Sequence, residues 1–334
     1  MAEPEAAPQQ QADASQAMTS LQPWQQRGLW YQALARFVGL AESDYFYLQA
    51  ESDTPGCWQL ALYSDDHGLQ AKSLSNYYSC ALGPTPPAPP AQWQQCFQRL
   101  TAHLPKCRQL QLEPVSATEL SLLQDAQIPG WGLLAVPISQ NWQASTADYW
   151  SKRSSQLRHT IARKKKKLDQ LGATISISTV ISEPLQQHYW QVYQRSWKPA
   201  EPTPDFINQL LQQASSQGTL RLGVLYIAEQ PVAVQCWLVA GGVAAIYKLA
   251  QDQQFDALSP GTVLTAAMAD YVMAQDQVHT LDFLTGDDAY KAQWMDSCSP
   301  LYRVTAFRLN NPIALLQFTV LRLKTRLQQL RSKL

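Results

Sequence analysis

Within ten residues, Asp282 to Lys291, the chain places three carboxylates, a phenol and an amine: Asp282, Asp287, Asp288, Tyr290 and Lys291. Groups of these types accept and donate protons near neutral pH when their surroundings tune them. Upstream stands Ser259-Pro260-Gly261-Thr262, followed by apolar residues at helical spacing, Val263, Leu264, Ala267, Met268, Tyr271 and Val272. Proline is tolerated in a first helical turn, serine is a good N-cap, and glycine puts no side chain over the helix start. The expected product is a helix N-terminus with bare backbone amides, which suits a phosphate or another anion. The plainer alternative is that Ser259 only caps a helix. For the downstream groups the alternative is that Asp287 caps, Tyr290 packs and Lys291 is solvated.

The elements that must position these residues follow from periodicity. Val243 to Ala250 reads as a strand before the helix at 260–275. Thr280 to Leu284 reads as a strand after it, and a helix runs through Tyr290 and Trp294. Asp282 sits near the end of its strand and points at a cleft if the strand splays there. Lys248 is a charge in an apolar strand and must reach water, a partner or a ligand. Trp197, just before Lys198 and Pro199, either packs in the core or offers a ring surface to a ligand.

Composition bounds the protein. Its 334 residues are 46% apolar and 16% charged, with a formal net charge of zero. Two globular domains fit that length, and a surface wholly devoted to nucleic acid does not fit that charge. The six cysteines form no CxxC pair, and neither they nor the five histidines suggest a metal site. No apolar run reaches ~18 residues and no leader peptide is visible, so a cytoplasmic protein is expected.

In order, residues 1–20 read as a disordered tail. Trp30, Leu34, Phe37 and Val38 mark a first helical stripe, three strands follow between Asp44 and Ala81, and a proline-rich connection spans Pro84 to Pro90. A helix from Trp93 to Leu104, strand 109–115, helix 117–127 and strand 131–138 come next. This gives β-β-β-α-β-α-β. Ser145 to Asp148 resembles a capping box. It opens a helix whose apolar face, Trp150, Leu157, Ile161, Leu168 and Leu171, opposes Lys152, Arg153, Arg158, Arg163 and Lys164 to Lys167. Strand 173–181 and helices 184–197 and 204–217, the second capped by Thr203, lead to strands 219–228, 232–240 and 243–250, with a turn at Glu229-Gln230. With helix 260–275, strand 280–284, the short helix and strand 302–309, the order β-β-β-α-β-α-β recurs. Residues 311–334 form a last helix with a basic face.

Two such copies around a basic helix resemble the tandem acetyltransferase-type fold of the GNAT superfamily, which includes Fem-type transferases and the domains found beside cellulose and exopolysaccharide synthesis. The match is strongest to the latter, over 145–295. It rests on residues 151–158 with Arg163-Lys164 and Gly172, on Ser196-Trp197, on Ser259-Pro260-Gly261, and on Asp282-Phe283, Gly286-Asp287, Tyr290-Lys291 and Trp294. Two departures stand out: the pattern has a glycine after the Asp-Phe pair, where this chain has Leu284-Thr285, and often another where it has Gln275 to Gln277.

The resemblance implies an α/β protein of two tandem acetyltransferase-like lobes, 21–144 and 145–310, the second carrying the site, with an amphipathic basic helix at 311–334. It implies acyl-CoA as co-substrate without a metal. Ser259, Pro260, Gly261 and Thr262 would cradle the diphosphate. Asp282 would act as base or orienting carboxylate, Tyr290 as acid for the leaving thiolate, and Lys291 beside them would pair with Asp287 or hold a phosphate. Arg153, Arg158, Trp197, Lys248 and Asp287 would face an amine or hydroxyl acceptor belonging to a cell-envelope or exopolysaccharide precursor. The alternatives are a Fem-type aminoacyl-tRNA-dependent transferase, with Arg163 to Lys167 on tRNA, and a non-catalytic interaction protein. The last helix would pack on a lobe or lie on an anionic membrane, a peripheral inner-membrane location. The enzyme reading requires the amides around Gly261 to be open; a side chain plugging them would remove its main support.

Overall fold

The computed structural model describes residues 35, 45–50, 58–75, 79 and 88–331. The predicted tail, the stripe at Trp30, Leu34, Phe37 and Val38, and most of the proline-rich connection lie outside the described residues. The protein is a mixed α/β fold of two compact units. One comprises residues 1–138 and 300–334, the other residues 139–299.

In the first unit, strands β1 (Tyr45–Ala50), β2 (Trp58–Ser64) and β3 (Gln70–Ser73) form an antiparallel series, and β4 (Gln109–Ser116) joins β3 in parallel. Helices α1 (Pro90–His103) and α2 (Ala117–Asp125) supply Trp93, Phe97, Leu100 and Leu123 to its core. Ser116 and Glu119 form a reciprocal capping box at the start of α2. The S-x-x-E signature is present in the sequence, whereas the box expected at Ser145 to Asp148 is not formed. There, strand β5 (Trp131–Ser145) runs on, and Asp148 takes a left-handed conformation. The following helix, α3 (Ser155–Gln170), starts ten residues later and is capped by the side chain of Ser154.

The second unit repeats the pairing pattern. Helices α4 (Glu183–Gln194) and α5 (Pro204–Ser216) follow strand β6 (Thr174–Ser178). Thr203 stands at the start of α5 without a side-chain capping bond. Strands β7 (Leu220–Ile227), β8 (Gln230–Ala240) and β9 (Val243–Gln251) are antiparallel, with the turn between β7 and β8 at Ala228-Glu229 rather than Glu229-Gln230. Strand β10 (Thr280–Thr285) then joins β9 in parallel. Helix α6 (Pro260–Ala274) buries Val263, Leu264, Met268, Ala269 and Val272 in this core. It lies so close to β7 that a Cβ on Gly223 would come within 2.4 Å of Met268 Sδ.

The last strand of each unit is not the one that chain order suggests. β11 (Ser297–Arg308), expected to close the second lobe, pairs antiparallel with β4 of the first unit. The end of β5, expected in the first lobe, pairs antiparallel with β10 of the second. The boundaries 21–144 and 145–310 are therefore corrected: residues 139–144 belong to the second unit and 300–310 to the first, together with helix α8 (Pro312–Arg331). The short helix α7 (Lys291–Trp294) completes the second unit.

Candidate active site

Parallel pairing between β9 and β10 covers three residues and stops at Ala245 and Asp282. Beyond it, β10 bulges: Leu284 is left-handed at φ 56°, and the register on β5 shifts between Asp282 and Thr285. Leu284 thus takes the backbone conformation that the family pattern gives to glycine, and so does Gln277 at φ 51° beyond the end of α6. Asp282 holds the bulge. Its Oδ1 accepts from Asn141 Nδ2 at 2.6 Å and from the Leu284 amide at 2.6 Å, and its Oδ2 accepts from Gln143 Nε2 at 2.8 Å. Burial pushes this carboxyl above its usual range, against the pull of those hydrogen bonds and of nearby Lys291.

Past the stretch of β9 that pairs with β10, Leu249 and Gln251 line a cavity of about 400 Å³. Gly261, Thr262 and Thr265 of α6 form one wall and the start of α3, including Leu157 and Thr160, another; Trp197, Gln251 and Tyr290 also reach it. Four of the residues singled out from sequence, Trp197, Gly261, Thr262 and Tyr290, therefore share one cavity. Trp197 is 55% exposed, so it is not a core residue. The Tyr290 ring meets Phe283 edge-on at 5.5 Å, and burial followed by the nearby charge of Asp288 pushes its phenol up, so it keeps its proton at neutral pH.

The cradle itself differs from the expectation. A 3-10 helix, Gln253–Leu258, separates β9 from α6, and Ser259 at φ 52° makes no side-chain cap. The Gly261 amide instead donates to Gln251 Oε1 at 2.9 Å, and Gln251 Nε2 donates to Asp256 at 2.6 Å. A Cβ on residue 261 would sit 2.6 Å from that same oxygen, so only glycine admits this contact. The amide is not open: Gln251 plugs it, so the open cradle that the enzyme reading required is not formed and the support drawn from bare amides is lost. Pro260 is buried in the helix start and has no amide hydrogen to offer.

The remaining candidates point elsewhere. Lys291 is buried; its Nζ donates to the carbonyls of Thr285 at 2.8 Å and of Phe283 and Gly286 at 3.3 Å, with Asp288 at 3.5 Å. It clamps the 283–291 loop and is not placed to hold a phosphate. Asp287 accepts from Trp142 Nε1 and not from Lys291. Arg153 is buried, pairs with Asp296, donates to the Tyr149 carbonyl and lies 4.7 Å from the Tyr149 ring centroid. Arg158 is exposed on α3 and does not line the cavity. Lys248 pairs with buried Glu201 at 2.9 Å.

Gln251 in the cavity wall, and Lys198 on the lining of a second cavity, carry no sequence signal strong enough to assign them. Gln251 reaches the Gly261 amide from ten positions away. Lys198 Nζ lies 5.9 Å from the Trp197 ring centroid, and its pKa is lowered to about 8 by burial, then by the charge of Lys248, with Glu201 opposing. Among the described residues, no group of three or more His, Cys, Asp or Glu could hold a metal ion, and no helix is long and apolar enough to cross a membrane.

Residues 155–292 match the acetyltransferase (GNAT) domain family. The matched segment holds α3, α6, Tyr290 and most of the residues that line the cavity. Among solved structures, FemX superposes with a TM-score of 0.64 at 10% identity, covering 95% of this chain and 100% of that one. The C-terminal domain of a putative lysylphosphatidylglycerol synthetase from Agrobacterium fabrum gives 0.55 at 14% identity, covering 92% and 94%. L-PGS from Bacillus licheniformis gives 0.53 at 11%, covering 89% and 97%. At these identities the likeness is one of fold. No match is found among curated proteins.

Proposed function

We propose that the protein is an acyl-CoA-dependent N- or O-acyltransferase, with an acceptor of the cell-envelope or exopolysaccharide class. The observation that carries this reading is that Gly261 and Thr262 at the N-terminus of α6 and Tyr290 line one cavity, together with Leu249 and Gln251 of β9. A helix N-terminus favours the negative charge of a diphosphate, and the cavity leaves room for a slender arm beside it. Gln251 must then swing away from Gly261, giving up about one net hydrogen bond, roughly 1 kcal/mol. Its place in the cavity wall makes that movement local.

In this reading Tyr290 gives its proton to the sulfur that leaves when the acceptor attacks the thioester carbonyl. Asp282 is a positioning residue: with both oxygens engaged, it shapes the bulge and takes no proton from the acceptor. In this reading Lys198, which follows Trp197 in the chain and lines a second cavity with Glu201, takes the acceptor's proton.

Single-turnover acetyl transfer to a panel of amine and hydroxyl acceptors tests the reading. Tyr290→Phe is expected to lower the transfer rate by about 100-fold or more with acetyl-CoA affinity unchanged. A rate equal to wild type would exclude Tyr290 as the acid. Gln251→Ala is expected to tighten acetyl-CoA binding about fivefold, because the competing internal contact is gone.

A second reading, an aminoacyl-tRNA-dependent transferase of the Fem kind, is favoured by the superposition with FemX and by the exposed Arg163, Lys166 and Lys167 on α3. Lys164 and Lys165 are engaged with the Ala257 carbonyl and Asp169, so the run offers fewer free cations than its sequence suggests. Salt-dependent tRNA binding that is lost on Arg163→Glu/Lys166→Glu/Lys167→Glu, without acetyl-CoA binding, would select this reading.

A further inference from the structure

Helix α8 packs on its unit along one narrow line. Ala314 is buried, Phe318 meets Phe307 at 5.9 Å between ring centroids, and a Cβ on Gly132 would lie 2.9 Å from the Phe318 ring. Arg322 folds back over that same ring, 5.6 Å from its centroid. The opposite face is apolar and uncovered. Ile313, Leu316, Val320, Leu323 and Leu327 are between 41% and 65% exposed. Their spacing of 3, 4, 3 and 4 places them in a single stripe. At about 100° per residue, Lys324 and Arg326 fall on the two flanks of that stripe, and both are exposed. Residues 311–334 contain five lysines and arginines and no aspartate or glutamate.

We infer that α8 docks on an anionic phospholipid surface, with the stripe at the level of the acyl boundary and Lys324 and Arg326 among the headgroups. An uncovered apolar stripe of this length calls for a partner, and its charge selects which kind. A second copy of the helix would set the same cations against one another, with no aspartate or glutamate in the segment to answer them. An anionic bilayer answers both the stripe and the cations. The cations within the stripe's length exclude a spanning role, in keeping with the absence of a crossing helix among the described residues.

Vesicle flotation of the full chain tests this. Vesicles of phosphatidylcholine with about 30% phosphatidylglycerol are expected to carry the protein, those of phosphatidylcholine alone several-fold less, and about 0.5 M salt to weaken binding to the first. Leu316→Glu/Leu323→Glu is expected to cut binding at least tenfold. Because both side chains are exposed, its thermal midpoint should match wild type. Lys324→Gln/Arg326→Gln, which keeps the stripe, should lose about tenfold and most of the salt dependence. Wild type that stays off the anionic vesicles, or a glutamate variant that floats like wild type, would overturn the inference. So would wild type that is dimeric by light scattering, becomes monomeric in the glutamate variant and binds neither vesicle.

Discussion

The two units share one plan, three antiparallel strands, a fourth in parallel, and a fifth in antiparallel drawn from the other half of the sequence, to which the second unit adds β6 antiparallel to β7. They differ in what they bury. The first packs Trp93, Phe97 and leucines around a core whose buried carboxyl group, among the described residues, is Glu119, held in a helix cap. The second buries Arg153, Glu201 and Lys291 and locks Asp282. Arg153 and Lys291 neighbour the cavity-lining residues Ser154 and Tyr290, and Glu201 lines a second cavity. The same frame thus serves as packing in one unit and as a charged scaffold around an opening in the other.

The sharpest test of this contrast compares two ion pairs. Arg153→Met leaves Asp296 and the Tyr149 carbonyl without their partner and should cost about 3 kcal/mol in denaturant unfolding. Arg303→Met, which breaks the more exposed pair with Glu113 in the first unit, should cost about 0–1 kcal/mol. Equal costs would erase the distinction.

Next in size is a pH effect from Lys198. Its folded pKa of about 8 lies below the ordinary 10.5. Below pH 8 both folded and unfolded states carry the charge, and the full cost of burying it is present. Between 8 and 10.5 the unfolded state holds the extra proton, so this group makes stability rise with pH. Lys198→Met should raise stability at pH 7 and flatten that rise. A variant with the wild-type pH profile of the unfolding midpoint would contradict the assignment.

The smallest effect concerns a missing glycine. Gln277 is exposed and left-handed, so Gln277→Gly should stabilise by about 1 kcal/mol or less. Leu284 shares the strain but is buried, so Leu284→Gly should lose more in packing than it gains in backbone freedom.

These residues also show what the sequence makes legible. Strands β7 to β9 and helix α6 follow from local periodicity, and the cavity wall at Gly261 and Thr262 follows from a short turn motif. The pairing of β11 with β4 does not, because a strand's pattern states which face is buried and not which strand lies beside it. The charged residues were harder still. Lys248 read as a site residue because a charge in an apolar strand implies a ligand or a partner, and Arg153 and Lys291 because the family resemblance implied it; each proved to have a partner. Arg153 meets Asp296 across 143 positions, Lys248 meets Glu201 across 47, and Asp282 is held by side chains about 140 positions away. Nothing local announces such pairings. The plug by Gln251 is hidden for the same reason: a side-chain amide capping a distant helix leaves no motif.

The central claim, that the start of α6 receives the diphosphate of a thioester carrier, is tested most directly by isothermal titration of acetyl-CoA into the full chain and into Thr262→Glu. The account predicts a dissociation constant below about 1 mM for wild type and at least tenfold weaker binding once a carboxylate stands at the helix start. No heat at millimolar acetyl-CoA, or equal affinity for the two proteins, would contradict it.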